Sequence, residues 1–320
     1  MSLTRRQQWR IEKIQADRIA RAQRASSDSE SLLDEAGEAQ TGLVITRYGQ
    51  RLLVEDESGE LRQCTGRQNI ELSVAGDQVI FQPTGESEGV VTALLKRDNQ
   101  LSRSYKLIAA NIDQLWLVVA VEPHYQFELI DRYLVVAENA GLPINIVVNK
   151  IELSQDFEQI KTDFSMYESA GYSVAYLSVK EQTNIDSFKA LLDDKTHIFL
   201  GQSGVGKSSL INELIPNLNL RINEISVKSK LGKHTTTNTT LYHIPSGGDL
   251  IDSPGIREFQ LDDLTDKEIL SGFREFKPFI GQCKFRNCTH INEPKCAIKQ
   301  AVESGDIHTQ RYQNYLNLIT

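Results

Sequence analysis

Residues 201 to 208 read GQSGVGKS, a match to G-x-x-x-x-G-K-[ST]. The apolar run HIFL precedes the match and the helix-compatible SSLINELI follows it. A loop of this kind binds its ligand only between a strand and a helix, so it fixes the local fold more tightly than anything else in the chain. Its glycines let successive backbone N–H groups converge on phosphate oxygens at a helix N-terminus. On this reading Gly201, Gln202, Ser203, Gly204, Val205, Gly206, Lys207, Ser208 and Ser209 cradle a nucleotide's phosphates. Lys207 reaches the outer phosphates and the Ser208 hydroxyl binds Mg²⁺.

Further motifs fill in the pocket. LIDSPG puts Asp252 at a strand end, where it can hold Mg²⁺ through water, and the Gly255 N–H can sense a γ-phosphate. Between loop and LIDSPG lies SVKSKLGKHTTTNTT, whose hydroxyls suit a switch segment that orders around a γ-phosphate. Thr236 is the preferred Mg²⁺ ligand there, with Thr235 next. VVNKIE ends another strand with Asn149, Lys150 and Glu152, resembling the guanine-reading N-K-x-D with Glu for Asp. A carboxylate there accepts from guanine's ring N–H and amino group, a donor pair adenine lacks. Ser178, Val179 and Lys180, in LSVK, resemble the S-A-K loop that supports the base. The order is reversed: Asn149 and Ser178 precede Gly201, whereas ordinary GTPases carry the phosphate loop first. One pocket can form only if the domain is circularly permuted.

Cys283, Cys288, His290 and Cys296 give C-x4-C-x-H-x5-C. Three thiolates and an imidazole this close match a closed tetrahedral zinc site, structural because no coordination position stays open. The segment around them is poor in apolar residues, so the metal is expected to contribute folding energy. Cys64 reads instead as a small buried side chain.

The chain has 320 residues, enough for two or three domains at about 150 each. Residues 41–98 carry five short strand candidates separated by turns, the size of an OB-type barrel, with an SH3-like barrel as the alternative. From 99 to 263 strand candidates (Leu115–Val121, Ile144–Val148, Val174–Leu177, His197–Leu200, Leu250–Ile251) alternate with helical stretches near 127–140, 155–170, 184–192 and 207–214. That rhythm implies a parallel sheet covered by helices. Residues 264–320 are short-helical and hold the cysteine cluster, and 1–40 form an arm and linker. The expected architecture is therefore multidomain: an N-terminal OB-type β-barrel, a central circularly permuted α/β P-loop domain and a C-terminal helical zinc-binding module.

Four cysteines are too few for a disulfide scaffold, and the longest apolar run, Leu115–Val121, is too short to span a bilayer. No apolar core follows the N-terminal arginines, so no secretory signal is expected. These features imply a cytoplasmic protein without a membrane role, and the expectation is a monomer. The net charge of −8 argues against a simple nucleic-acid coat. Yet residues 1–24 carry seven Arg/Lys against Glu12 and Asp17, a local +5 that suits an RNA contact. Lys228, Lys230 and Lys233 in the switch segment, and Lys284, Arg286, Lys295 and Lys299 around the cysteines, extend the basic surface.

Barrel, permuted GTPase and Cys3His module together resemble the RsgA (YjeQ) family of GTPases that depend on the small ribosomal subunit. The resemblance covers about residues 41 to 320, with Glu152 at the usual Asp position as a departure. It implies a cytoplasmic enzyme that binds the immature small subunit and its rRNA late in assembly and hydrolyses GTP to GDP and phosphate, with Mg²⁺ on the nucleotide and one structural Zn²⁺. Where Ras-like enzymes keep a water-orienting Gln, this chain has Ile256. The resemblance points to His234 in GKHTTT as the catalytic residue instead. Two other readings stand beside it: a P-loop kinase, which leaves NKIE unexplained, and an RNA-binding module with a non-hydrolysing pocket.

Overall fold

In strands Gln40–Tyr48 (β1), Arg51–Asp56 (β2), Leu61–Gly66 (β3), Gln78–Pro83 (β4) and Glu88–Leu94 (β5), alternate residues such as Leu52 and Val54, or Val79 and Phe81, enter one apolar core. The computed structural model describes residues 37–66, 72–103, 106–192, 194–218, 239–253 and 264–319. The chain divides into two compact units, Met1–Ile112 with Ile215–Ile244 and Asp249–Gly255, and Asp113–Leu214 with Pro245–Gly248 and Ile256–Thr320.

The first unit is built on a closed barrel. Strands pair in the order β1-β2-β3-β5-β4, and β4 returns to β1. Five strands closed this way form the OB-type Greek key, which decides between the two barrels expected. Val44, Leu52, Val54, Cys64, Val79, Phe81, Val91 and Leu94 fill it. A buried ion pair, Arg97 Nε to Asp77 Oδ1 at 2.7 Å, closes one end, and Asp77 Oδ2 also accepts the Val74 N–H. Two elements were not anticipated: the hairpin Gln100–Arg103 (β6) with Lys106–Ala110 (β7), and the strand Thr240–His243 (β12). Strand β12 pairs antiparallel with Asp249–Asp252 (β13), and its other edge meets β1 at Thr46 and Thr240. Leu250 and Ile251, expected as a strand, lie in β13, whose antiparallel partner is β12.

The second unit holds the parallel sheet. Gln114–Ala120 (β8), Ile144–Asn149 (β9), Val174–Tyr176 (β10) and Thr196–Leu200 (β11) lie in the order β10-β9-β8-β11. In β8 every residue from Leu115 to Ala120 is buried, as expected for a strand covered on both faces. Helices Phe127–Ala140 (α1), Phe157–Ser169 (α2), Ile185–Ala190 (α3) and Lys207–Leu214 (α4) connect or follow the strands. The chain runs outward from β8 to β10 and then returns to place β11 on the other side of β8. The order reverses between β8 and β11, the position where open α/β sheets bind ligands.

After this sheet come Asp266–Gly272 (α5), a 3₁₀ stretch Arg274–Phe279, Ala297–Ser304 (α6) and Thr309–Ile319 (α7). A capping box between Thr265 and Glu268 starts α5. Val135 of α1 shares an apolar cluster with Phe273, Phe276, Ile298 and Tyr315. Arg311 of α7, fully buried, bonds to Asp131 of α1 and, at 2.6 Å, to Glu275. Asn314 donates to the other Asp131 oxygen, and the Arg311 guanidinium lies over the rings of Tyr167 and Phe273. This apolar cluster and these buried charges hold the C-terminal module to α1.

Candidate nucleotide and metal sites

Strand β11 ends at Leu200 and helix α4 begins at Lys207, so the glycine loop occupies the turn at the sheet's reversal. Gly201 has φ 130°, and a Cβ there would sit 2.1 Å from the Val118 carbonyl oxygen of β8. Gly206 has φ 98°, and its Cβ would meet the Asn149 side-chain nitrogen at 2.2 Å. Only glycine fits either place. Pro123, Tyr125 and Ile130 line a small apolar recess behind the loop together with Gly201, Gln202 and Val205.

The predicted base-reading residues converge on the same loop. Asn149, 2% exposed at the end of β9, donates from Nδ2 to the Val205 carbonyl at 2.9 Å. Its Oδ1 accepts the Val179 N–H at 3.4 Å, joining N-K-I-E to L-S-V-K. Lys150, in the left-handed region at φ 60°, donates to the carbonyls of Gly204 and Glu122, both at 2.7 Å. Ser178 is buried and its hydroxyl accepts the Glu181 N–H at 3.0 Å, closing the turn that carries Val179 and Lys180. Lys207 folds its ammonium back on the carbonyls of Gly201, at 2.5 Å, and Gln202. Glu152, on the 3₁₀ turn Ile151–Leu153, has a solvent-shielded Oε2 with no hydrogen-bond donor. A desolvated carboxylate oxygen without a donor is costly, and a ligand N–H would relieve it.

Gln202, Ser203, Ser208 and Ser209 lie on the loop and the first turn of α4, as expected. Asp252 closes β13 in the first unit. His234, Thr235, Thr236, Gly255 and Ile256 lie outside the described residues, as do Lys228, Lys230, Lys233 and the basic arm.

Cys283, Cys288, His290 and Cys296 offer four ligand atoms that all lie within 4.8 Å of one another. Cys283 Sγ is 3.8 Å from Cys296 Sγ, and His290 Nδ1 is 3.5 and 3.4 Å from those two sulfurs. Tetrahedral zinc, with bonds of about 2.3 Å to sulfur and 2.0–2.1 Å to nitrogen, needs separations of about 3.8 and 3.6 Å. The donor set fits that ion. Burial holds the His290 pKa below its ordinary value, which keeps the ring in its neutral, ligating form. The Ala297 N–H donates to Cys283 Sγ at 3.3 Å, and Tyr312 Oη anchors the His290 carbonyl at 2.6 Å, so the ligand loops are fixed from α6 and α7. Lys284 lies over the exposed ring of Phe285 on the knuckle.

Sequence reasoning did not find Arg311, Asp131 or Glu275, nor the Thr46 hydroxyl that donates to the Thr239 carbonyl and the Thr239 hydroxyl that donates to Ser253 in the first unit. Partners this far apart leave no local pattern.

A sequence profile described as RsgA GTPase matches residues 94–262. A protein named small ribosomal subunit biogenesis GTPase RsgA from Marinobacter nauticus is 44% identical, with 99% of this chain and 95% of that protein aligned. Its namesake from Hahella chejuensis is 43% identical over 99% of this chain and 94% of its own length. Among solved structures, YjeQ from Thermotoga maritima superposes with a TM-score of 0.74 at 33% identity, covering 88% of this chain and 97% of that one. YloQ, described as a circularly permuted GTPase, gives 0.72 at 31% identity over 90% and 96%.

Proposed function

The chain belongs to the RsgA GTPase family, and on that premise we propose that it hydrolyses GTP on the small ribosomal subunit during the subunit's late assembly. It is a GTP hydrolase of ribosome biogenesis rather than a kinase. One observation carries the nucleotide reading: Asn149 and Lys150, which come before the phosphate loop in the chain, hydrogen-bond to its carbonyls at Val205 and Gly204. That latch joins base-reading and phosphate-binding segments into one pocket in permuted order.

In this reading Gly201 to Ser209 hold the phosphates, and Asn149, Lys150, Glu152, Ser178, Val179 and Lys180 hold the guanine. The donorless Glu152 Oε2 supports guanine, whose ring N–H and amino group supply what it lacks. Ser208, Asp252 and Thr236 are proposed for Mg²⁺, Gly255 for the γ-phosphate and His234 for the attacking water. Zn²⁺ is proposed on Cys283, Cys288, His290 and Cys296, where it neutralises thiolates and ties the two ligand loops together. The domain limits proposed are 1–40, 41–98, 99–263 and 264–320. Ribosomal RNA is the proposed partner of the barrel, the basic arm and the zinc module. No helix among the described residues is long and apolar enough to cross a membrane, and the protein is proposed to act as a cytoplasmic monomer.

The deciding measurement is GTP turnover with and without purified small ribosomal subunits, with ATP as comparator. Stimulation specific to GTP is expected. Equal use of ATP, or no response to subunits, overturns the proposal.

A further inference from the structure

We propose that Thr46, a barrel residue, is a positioning residue for GTP hydrolysis: its hydroxyl sets the hairpin that carries Asp252. This rests on the GTPase reading above and on Asp252 as a Mg²⁺ ligand.

Strand β1 bulges between Val44 and Thr46. A bulge reverses the side-chain alternation, so Val44 enters the barrel core while Thr46 turns away from it. Thr46 is nonetheless fully buried. Its Oγ1 donates to the Thr239 carbonyl at 2.9 Å and accepts from the Thr240 hydroxyl at 3.2 Å. Thr239 Oγ1 in turn donates to Ser253 Oγ at 2.9 Å. The relay runs from barrel strand β1 through Thr239, just ahead of β12, to the residue next to Asp252.

These contacts fall where both strands of the hairpin end. Thr240 is the register partner of Asp252, and β1 meets β12 at that same residue, Thr46 opposite Thr240. At the other end of the hairpin His243 is held between Glu55 Oε2 of β2 at 2.5 Å and Asp249 Oδ1 at 2.6 Å. Behind it Gly76 is packed so closely that a Cβ would lie 3.1 Å from the Ile251 side chain. The hairpin is therefore pinned to β1 at one end and β2 at the other, and a shift of the barrel strands moves Asp252 with them. Thr46 touches no nucleotide in this account. It acts through the hairpin, which makes the barrel's footing on its partner felt at the metal ligand. Displacement of such a ligand by even 1 Å is enough to cost about a hundredfold in rate.

The test compares wild type, Thr46→Val and Thr46→Ser in the full-length protein. Val keeps the volume and removes the hydroxyl, whereas Ser keeps the hydroxyl. Subunit-stimulated kcat, KM for GTP, GDP affinity in chelator, and the Mg²⁺ concentration for half-maximal rate are measured. For Thr46→Val we expect kcat to fall at least about tenfold and the Mg²⁺ requirement to rise, with GDP affinity within twofold of wild type. Thr46→Ser is expected to restore both. The proposal is overturned by wild-type turnover in Thr46→Val, by a parallel loss of GDP affinity, or by Thr46→Ser failing alongside it. Should Thr46→Val not fold, Thr239→Val, which removes the relay's donor to Ser253, decides. A reduced kcat at unchanged GDP affinity supports the proposal, and an unchanged kcat sinks it. Absence of GTP turnover in wild type removes the underlying function, which separates that failure from failure of the relay.

Discussion

Cys64 and Cys296 are equally hidden from solvent, at 0% and 1% exposure, yet they do opposite things. Cys64 lies among Val44, Val54, Phe81 and Val91 in the barrel, where burial pushes its thiol up to about 12 and leaves it an inert apolar filler. Cys296 lies within 4 Å of another thiol and an imidazole, a donor set that an ion completes. The barrel closes on itself through strand pairing and an apolar interior. The C-terminal module, made of short helices, leans on an apolar cluster and buried ion pairs, and it carries the proposed metal ligands. Burial alone does not tell a structural cysteine from a ligand; its neighbours do.

Metal loss tests that contrast most strongly. Chelation, or Cys283→Ser, is expected to unfold the module, since structural zinc contributes on the order of 10 kcal/mol in small zinc-dependent folds. Thiol titration should then find Cys288, Cys296 and, where retained, Cys283 reactive, while Cys64 stays protected until denaturant is added. If Cys64 reacts in step with the others, the two regions are not independent in the way described.

Arg311→Leu ranks next. It leaves Asp131 and Glu275 without their buried cation, and breaking such a cluster costs about 3–5 kcal/mol. Burial already pushes the Asp131 carboxyl up to about 6. With the guanidinium gone its folded pKa stays above its unfolded one, so the variant should be least unstable at low pH and worsen as pH rises. Denaturant melts at pH 5 and pH 8 check both size and sign; a loss below 1 kcal/mol would mean that the apolar cluster holds the module without the ions.

Cys64→Ala should lower the barrel's stability by only about 1 kcal/mol, the scale of a small core truncation, and leave metal content unchanged. Smallest of all is the His243 clamp. Hydrogen bonds to Asp249 and Glu55 raise its pKa to about 10, above the unfolded value of about 6.5. Its contribution is therefore complete below about pH 6.5 and disappears as pH rises through about 10. Because the ring is half exposed, it is worth less than about 1 kcal/mol. The melting-temperature gap between wild type and His243→Gln should be largest near pH 6 and close by pH 10.5. A gap that persists into alkali assigns the effect to packing instead.

Much of this was readable in the chain, and for a physical reason. The phosphate loop, N-K-I-E and the cysteine spacing act through backbone geometry or ligands close in sequence, so their chemistry is written locally. The five barrel strands and the four helices of the parallel sheet announced themselves by period. Strands β6, β7 and β12 did not: QLSR, KLIAA and TLYH are too short to show one. The Asp131–Arg311 bond spans 180 residues and Thr46–Thr239 spans 193, and no window holds both partners. Nothing in TQRYQNYLNLI marks Arg311 as interior, and only packing buries it.

Strand β12 has one further implication, for how this protein can be cut. It belongs to the barrel's compact unit although nearly 150 residues separate it from β5. A cut after residue 98 that discards the barrel removes β1 and its pairing of Thr46 with Thr240, leaving that end of β12 as an open sheet edge. Unprotected edges of this kind recruit other strands. Such a fragment should self-associate, while one that retains the barrel stays dispersed.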